Sequence, residues 1–483
     1  MKESYRTPGL DIDKIVADAV NAAEAFRNYT QEQTDRIVEA VFKAGFNNRV
    51  RLAKITYDDT KLGKWEDKVI KNVIATQYVY QDIKNMKTVG VINEDREQGV
   101  VEVAAPVGPI FAVTPITNPS STVLFKILIA MKSRNPIIIR PHGSARKCSV
   151  EACRLLYEAA LEAGAPEKCV QWIKATTRDE VMQLMSHPRI NLILATGSVE
   201  LVRAAQKSGN PAIGIGPGNV PVYIGRSADI PFAVEQIVLS KTFDNGTVCA
   251  SEQAVVVNSD NVDDVTQEFK KHKAYFLSQD EIKRLEPVAF NSEAKVMKVE
   301  VIGQSAATIA EMAGFKVPPD TSILIAPLEE VGIQSPLSLE ILAPILALYV
   351  ADNFEQAIEL CRRINRHGGL GHTASIFSTD EEKIRYFSSS INAGRILVNT
   401  PASQGALGGT YNRLRPSLML ACGTRGKNIT TDNISVRHLL NIHRIARRNV
   451  CPYMTSEFMH NFLDENLDWE NMKGKFGDNE EPR

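Results

Sequence analysis

Ile110-Phe-Ala-Val-Thr-Pro115, Pro136-Ile-Ile-Ile-Arg140, Val170-Gln-Trp-Ile173 and Asn191-Leu-Ile-Leu-Ala-Thr196 are short, mainly apolar runs, and the chain between them reads as helix. Helices are expected over about 121–133, 145–163, 179–186 and 199–207, before a last apolar run at Ile213–Ile224. Strands buried on both faces lose the in–out alternation of a half-exposed sheet, and parallel neighbours need a crossover between them. Residues 110–224 therefore predict an α/β fold, a parallel sheet covered by helices on both sides.

Toward the C-terminus the alternation resumes after Asp229, with a helix to Thr242, strand Gln253–Val257 and helix Val262–His272. Further strands are expected at Ser322–Ile325, Ile345–Val350, Ala374–Phe377 and Ile396–Asn399. A chain of 483 residues is too long for one core, so this second series predicts a second α/β domain. Toward the N-terminus, helices over 11–45 and 65–86 give way to alternation at Val89 and Val91, then at Val100, Val101 and Val103. With Asn93-Glu-Asp-Arg96 as its turn, that is a hairpin. Residues 451–483, charged and aperiodic, read as a loosely held tail.

The 56 basic and 57 acidic side chains leave a net charge of -1, which removes the electrostatic case for nucleic acid or an anionic membrane as partner. No run approaches the roughly 20 apolar residues of a membrane span. The N-terminal Met-Lys-Glu-Ser-Tyr-Arg lacks the apolar core of a signal peptide. Seven scattered cysteines without CxxC spacing argue against a disulfide framework and a thiolate metal site. No metal and a cytoplasmic setting are expected.

In Lys241-Thr-Phe-Asp-Asn-Gly-Thr-Val-Cys-Ala-Ser-Glu-Gln253 a helix ends, a polar turn follows, and Cys249 sits just before a strand. A thiol on such a connection can react, and nearby backbone donors favour its thiolate; a small residue at a packed turn fits the same pattern. Cys153 and Cys361 lie in apolar helical contexts that suit structural cysteine. Ala195-Thr-Gly-Ser198 and Gly214-Ile-Gly-Pro-Gly-Asn219 are glycine-rich turns after strands, where a phosphate can bind, though neither is a full dinucleotide fingerprint. In Thr114-Pro-Ile-Thr-Asn-Pro119, Asn118 serves either as a helix cap or as an amide donor to an oxyanion.

Together these segments resemble the aldehyde dehydrogenase superfamily, and most closely its CoA-acylating branch. The resemblance covers about residues 10–448. It is carried by Thr117-Asn-Pro, Ser133-Arg-Asn-Pro, Pro141-His142, Asn191-Leu-Ile-Leu-Ala-Thr-Gly, the segment around Cys249, Gly371-His-Thr and Asn399-Thr-Pro-Ala. It extends to the N-terminal half of the bifunctional aldehyde–alcohol dehydrogenases and to the acylating succinate-semialdehyde dehydrogenases. The sequence shows no iron-dependent alcohol dehydrogenase half, so alcohol formation is not expected.

The resemblance implies a Rossmann-like NAD(P)-binding domain over 1–236, with 88–105 a protruding oligomerisation hairpin. A second α/β, catalytic domain over 237–415 carries Cys249. Residues 416–450 return to the cofactor domain and add a strand to the small β oligomerisation element, ahead of the 451–483 tail. By the same resemblance Cys249 attacks the aldehyde, and the Asn118 amide and the Cys249 N–H hold the oxyanion. Hydride passes to a nicotinamide and leaves a thioacyl-enzyme. Glu340 takes the place that holds the nicotinamide ribose, Thr117, Gly197 and Ser198 lie by the cofactor, and Pro141-His142 lies near the adenosine.

Hydrolytic members carry a glutamate in a Leu-Glu-Leu-Gly-Gly segment; here the segment is Ile213-Gly-Ile-Gly-Pro-Gly218, with Gly214 where the carboxylate would stand. A positioned base supplies about 10²–10⁴-fold, so its loss leaves the thioester for CoA. The expected reaction is aldehyde + CoA + NAD(P)⁺ to acyl-CoA + NAD(P)H. His372 matches a histidine of this branch, with proton transfer and a structural bond to backbone both open. Thr424-Arg-Gly-Lys-Asn428 replaces Ser-Trp-Gly-Gly-Asn of the bifunctional relatives. Arg425 and Lys427 could then meet an anionic aldehyde such as succinate semialdehyde or sulfoacetaldehyde, CoA phosphates, or another subunit; an acetaldehyde-like substrate is the other expectation. Arg140 before Pro141 could admit NADP, with NAD the first choice. The competing readings are a hydrolytic dehydrogenase, the phosphate-forming glutamyl-phosphate reductase branch, and an inactive scaffold. A homodimer or homotetramer is expected, joined through the hairpin Thr88–Val103 and a strand around Leu439–Ile445.

Overall fold

A computed structural model describes residues 10–174, 177–294, 296–449, 459–460 and 462–471, so most of the expected tail over 451–483 lies outside the described residues. The chain divides into two units, Met1–Met86 with Pro106–Leu440, and Lys87–Ala105 with Asn441–Arg483.

The larger unit holds two parallel sheets. The first runs Val170–Trp172, Ile137–Arg140, Ile110–Val113, Leu192–Thr196, Ala212–Ile215 across its width. Ile110 pairs with Ile137 on one side and Leu192 on the other. In chain order this is 3-2-1-4-5. The order reverses between Ile110–Val113 and Leu192–Thr196, and a crevice opens where connections leave in opposite directions past the strand ends. Helix Pro119–Lys132 is buried along its whole length, as a helix apolar all round must be. Its Lys126 donates from Nζ to the carbonyls of Val113, at 2.7 Å, and Leu194, at 2.9 Å, tying both strands flanking that reversal.

The second sheet has seven strands in the order Tyr275–Phe276, Leu324–Pro327, Ile345–Ala351, Glu252–Asn258, Val220–Ile224, Gly371–Phe377, Ala393–Val398. The apolar run Ile213–Ile224 is therefore not one strand. Ala212–Ile215 closes the first sheet, and Val220–Ile224 lies inside the second. Gly216-Pro-Gly-Asn219 breaks the run, since proline offers no ladder N–H and glycine packs no side chain. The passage between sheets falls there, ahead of the expected boundary at 236/237.

The N-terminal pattern over 11–45 is two helices, Ile12–Arg27 and Gln31–Asn47, because Thr30 and Gln33 form a capping box that starts the second. The smaller sheet joins Gly90–Asp95, Val100–Pro106 and Leu440–Ala446. Its hairpin turns at 96–99, not 93–96: Asp95 pairs with Val100, and a bulge between Val91 and Asn93 shifts the register. Among the described residues no helix is long and apolar enough to cross a membrane.

Candidate active site

A cavity of about 740 Å³ opens at the carboxyl ends of the first sheet's strands. The connection after Ile110–Val113 supplies Thr117 and Asn118, and that after Leu192–Thr196 supplies Gly197 and Ser198. Cys249, Glu340, His142 and Arg140 add to the polar wall, while Phe290, Val296, Met297 and Val299 make an apolar one. Among the described residues Glu340 is the one carboxylate lining it.

Cys249 follows helix Ile230–Thr242 and a tight turn in which Asp244 and Asn245 take φ of 50° and 51°. Short polar side chains tolerate that left-handed region best. Cys249 is half-buried. It still sits deep enough that burial, and then the Glu340 charge, push it up to about 12. The expectation that backbone donors lower this thiol is overturned, because desolvation outweighs them.

Asn118 occupies the cap position of helix Pro119–Lys132 but makes no capping bond. Its Oδ1 instead accepts from Lys71 Nζ at 2.6 Å, and its Nδ2 donates to Thr117 Oγ1 at 3.1 Å and to the Thr247 carbonyl at 3.4 Å. The amide is thereby turned toward the turn that carries Cys249. Glu340 Oε1 accepts from Gly218 N–H at 2.8 Å, and burial pushes its carboxyl up to about 7. Ser198 caps helix Val199–Lys207 through Leu201 N–H, so the helix N-terminus meets the cavity wall. His142 Nδ1 accepts from Ser144 N–H at 3.2 Å, and burial, then Arg140, pushes its ring below the usual imidazole range.

Other expected residues stand back from this wall. His372 is fully buried, bonded through Nδ1 to the Thr373 hydroxyl at 2.9 Å rather than to backbone, and pushed down to about 3 by burial and Arg395. It backs Gly218: a Cβ there would meet the Cys249 carbonyl oxygen at 2.4 Å and His372 Cγ at 2.9 Å. Pro141 is buried beside the wall. Gly214 faces Val202, 2.6 Å from where its Cβ would lie, while Ile215, Gly216 and Pro217 reach the cavity. Arg425 and Lys427 are exposed and off the wall. Arg425 Nε bonds the Asn392 amide oxygen at 2.8 Å, and the Lys427 carbonyl accepts from Gln206 Nε2 at 3.1 Å.

Two residues missing from the sequence reading belong here. Lys71 lines the cavity from helix Trp65–Val73, and buried Arg395 donates to the carbonyls of His372, at 2.6 Å, and Ala421, at 2.9 Å. No periodicity marks Lys71, because its helix is inverted: Lys68 and Lys71 face inward while Ile70 is 47 % exposed. Among the described residues no cluster of three or more metal-ligating side chains occurs.

Residues 3–411 match the family model described as Aldehyde dehydrogenase family. The chain belongs to that family. It is 42% identical over 442 residues to the bifunctional aldehyde-alcohol dehydrogenase AdhE of Escherichia coli, covering 91% of this chain and 49% of that protein. It thus spans about half the length of such relatives. It is 34% identical to the acetylating succinate-semialdehyde dehydrogenase of Clostridium kluyveri, with 91% and 96% of the two chains covered. Among solved structures it resembles an acetylating aldehyde dehydrogenase from Geobacillus thermoglucosidasius, with 44% identity, a TM-score of 0.88, and 91% and 96% covered. An aldehyde dehydrogenase fold accounts for both parallel sheets and for the cavity at the ends of the first.

Proposed function

We propose that this cavity is the active site of a CoA-acylating aldehyde dehydrogenase, converting aldehyde, CoA and NAD(P)⁺ to acyl-CoA, NAD(P)H and a proton. The make-up of the wall carries the reading. One cysteine and one oriented amide meet there, and the single lining carboxylate is already bonded to Gly218 N–H. Relatives of acetylating name at 34% and 44% identity, matched over nearly their whole lengths, support it.

Cys249 Sγ attacks the carbonyl carbon, and the carbonyl electron pair moves onto oxygen, held by Asn118 Nδ2 and the Cys249 N–H. A nicotinamide dinucleotide, when bound, supplies the hydride acceptor. The thioacyl group left on Cys249 is attacked by the CoA thiol, the bond to Cys249 breaks, and the cysteine regains its proton. Hydrolysis is slow because the segment 214–217 brings no carboxylate to the wall, whichever of its positions faces the thioester.

The wall suits a dinucleotide. A Cβ at Gly216 would meet nothing within 4 Å, so a ligand can approach the backbone there. Thr117, Gly197 and Ser198 would lie by the pyrophosphate, Glu340 by the ribose, and Arg140, Pro141 and His142 by the adenosine. NAD is the first choice, with Arg140 placed to meet the 2′-phosphate of NADP. His372, buried and neutral, suits a structural role or proton transfer toward CoA or the hemithioacetal. The apolar wall favours an uncharged short aldehyde, leaving Arg425 and Lys427 for CoA phosphates or a subunit contact. The three-stranded sheet would extend into that of a second copy, giving a dimer or tetramer.

The test is product analysis with and without CoA, combined with thiol capture at Cys249. Acyl-CoA in step with NADH, lost in Cys249→Ala, is the expected result. Free acid formed equally fast with and without CoA overturns the reading.

A further inference from the structure

The buried cluster behind the oxyanion amide has a composition that the chemistry above does not use. Lys71 Nζ, 2 % exposed, has three donors and three acceptors: Asn118 Oδ1 at 2.6 Å, Asp244 Oδ2 at 2.5 Å and Thr247 Oγ1 at 2.8 Å. Asp244 Oδ2 also accepts from Lys68 Nζ at 2.9 Å, its Oδ1 accepts from Lys64 N–H at 2.7 Å, and its own N–H donates to Asp67 Oδ2 at 2.7 Å. Burial works to raise the Asp244 carboxyl, but Lys71 and Lys68 together hold it below its usual range. Two ammonium groups thus share one carboxylate, and only Lys71 reaches the cavity.

An amide has two ends of similar shape, and only one can serve an oxyanion. An ammonium carries donors alone, so the end of Asn118 that meets Lys71 must be oxygen. The other end, Nδ2, donates to Thr117 Oγ1 at 3.1 Å and, at a long 3.4 Å, to the Thr247 carbonyl of the turn that carries Cys249, a contact that can be exchanged for a stronger acceptor. Without Lys71 the amide could turn over and present its oxygen to developing negative charge.

We propose that Lys71 is a positioning residue for the oxyanion amide, fixing Asn118 Oδ1 so that Nδ2 faces the oxygen of the carbonyl attacked by Cys249. This rests on the reading of Asn118 as an oxyanion donor.

A double-mutant cycle tests it, with NADH formation in the first turnover as the readout and full-length enzyme throughout. Asn118→Ala is expected to slow the first turnover about 10²–10³-fold, the range for losing one oxyanion donor. Lys71→Met should slow it about 10–100-fold while the KM values for cofactor and CoA move little, and should slow Asn118→Ala by no more than about threefold. Lys68→Met removes a charge from the same carboxylate without touching Asn118. It should lower Tm yet keep the first-turnover rate within about threefold of wild type. Lys71→Gln enters the same cycle if Lys71→Met does not fold. Equal slowing by the Lys71 variant with and without Asn118, or no slowing at all, overturns the proposal. An Asn118→Ala enzyme at full rate overturns the oxyanion reading itself, which the first arm reports separately.

Discussion

Gly218, next to the wall residue Pro217, packs closely against Cys249 and His372, and adding one carbon to it tests how firmly Cys249 is seated. A Cβ there would lie 2.4 Å from the Cys249 carbonyl oxygen, and 2.9 and 3.1 Å from Cγ and Cδ2 of His372, where ordinary contact begins at 3.4 Å. The two sides must therefore part by about 1 Å, the difference between 3.4 and 2.4 Å. One side is the backbone of the nucleophile and the other a ring with no exposed surface, so neither can swing away as a long side chain would. Gly218 is not among the residues with positive φ, so Gly218→Ala adds bulk without backbone strain. Overpacking of this kind costs about 1–3 kcal/mol of stability, and a reacting group misplaced by about 1 Å can lose roughly 10²-fold in rate. Gly218→Ala should fold, melt a few degrees lower, and show kcat/KM for the aldehyde, read as CoA-dependent NADH formation, reduced about 100-fold. Gly216→Ala, with nothing within 4 Å of its Cβ, controls for the loss of a glycine and should leave Tm almost unchanged. Activity of Gly218→Ala within about threefold of wild type would refute the reasoning, because it would mean the wall yields to a displacement of that size.

Three further outcomes are expected. Glu340→Gln removes the charge that, after burial, holds the Cys249 thiol up; the thiol should ionise more readily and iodoacetamide should label Cys249 several-fold faster at pH 8 in enzyme without cofactor, slower labelling being the contrary result. Lys126 is pushed by burial from 10.5 to about 7, so between pH 7 and 10.5 the unfolded chain holds a proton that the folded protein has released. Stability of wild type relative to Lys126→Met should rise with pH across that window, by a few kcal/mol at most, and stay level below it; a pH-independent difference in denaturant melts would show the amine to be charged when folded. Arg425→Ala should leave the ratio of kcat/KM for acetaldehyde and succinate semialdehyde unchanged, since Arg425 stands off the cavity wall; a shift of tenfold toward acetaldehyde would bring the anion pocket back.

Strands Ile110–Val113, Ile137–Arg140 and Leu192–Thr196 were legible because buried parallel strands are written as unbroken apolar runs, with the connection to each helix marked by a change of pattern. The cavity residues Asn118, Gly197, Ser198 and Cys249 follow from that, since all lie on connections just beyond or just before such strands. Two strands run together as Ile213–Ile224 were not separable by hydropathy, because both are apolar and only the partner sheet differs. Which positions of the segment 214–217 reach the cavity was not legible for a related reason. Alternate residues of a strand point to opposite faces, so Gly214 meets Val202 while Ile215 meets the cavity, and no local pattern says which face is which.

Local chemistry, readable in one dimension, determined the α/β class and set Cys249 and Asn118 on connections beside buried strands. Caps, turns and apolar periods act between near neighbours, and they leave their mark within a few residues. Tertiary structure alone decided the protonation and orientation of those groups. Cys249 and Glu340 are 91 positions apart (340 minus 249), and Lys71 lies 47 from Asn118 and 173 from Asp244. Electrostatic interaction and desolvation depend on distance in space and on depth below the surface, and neither is written in the order of the chain.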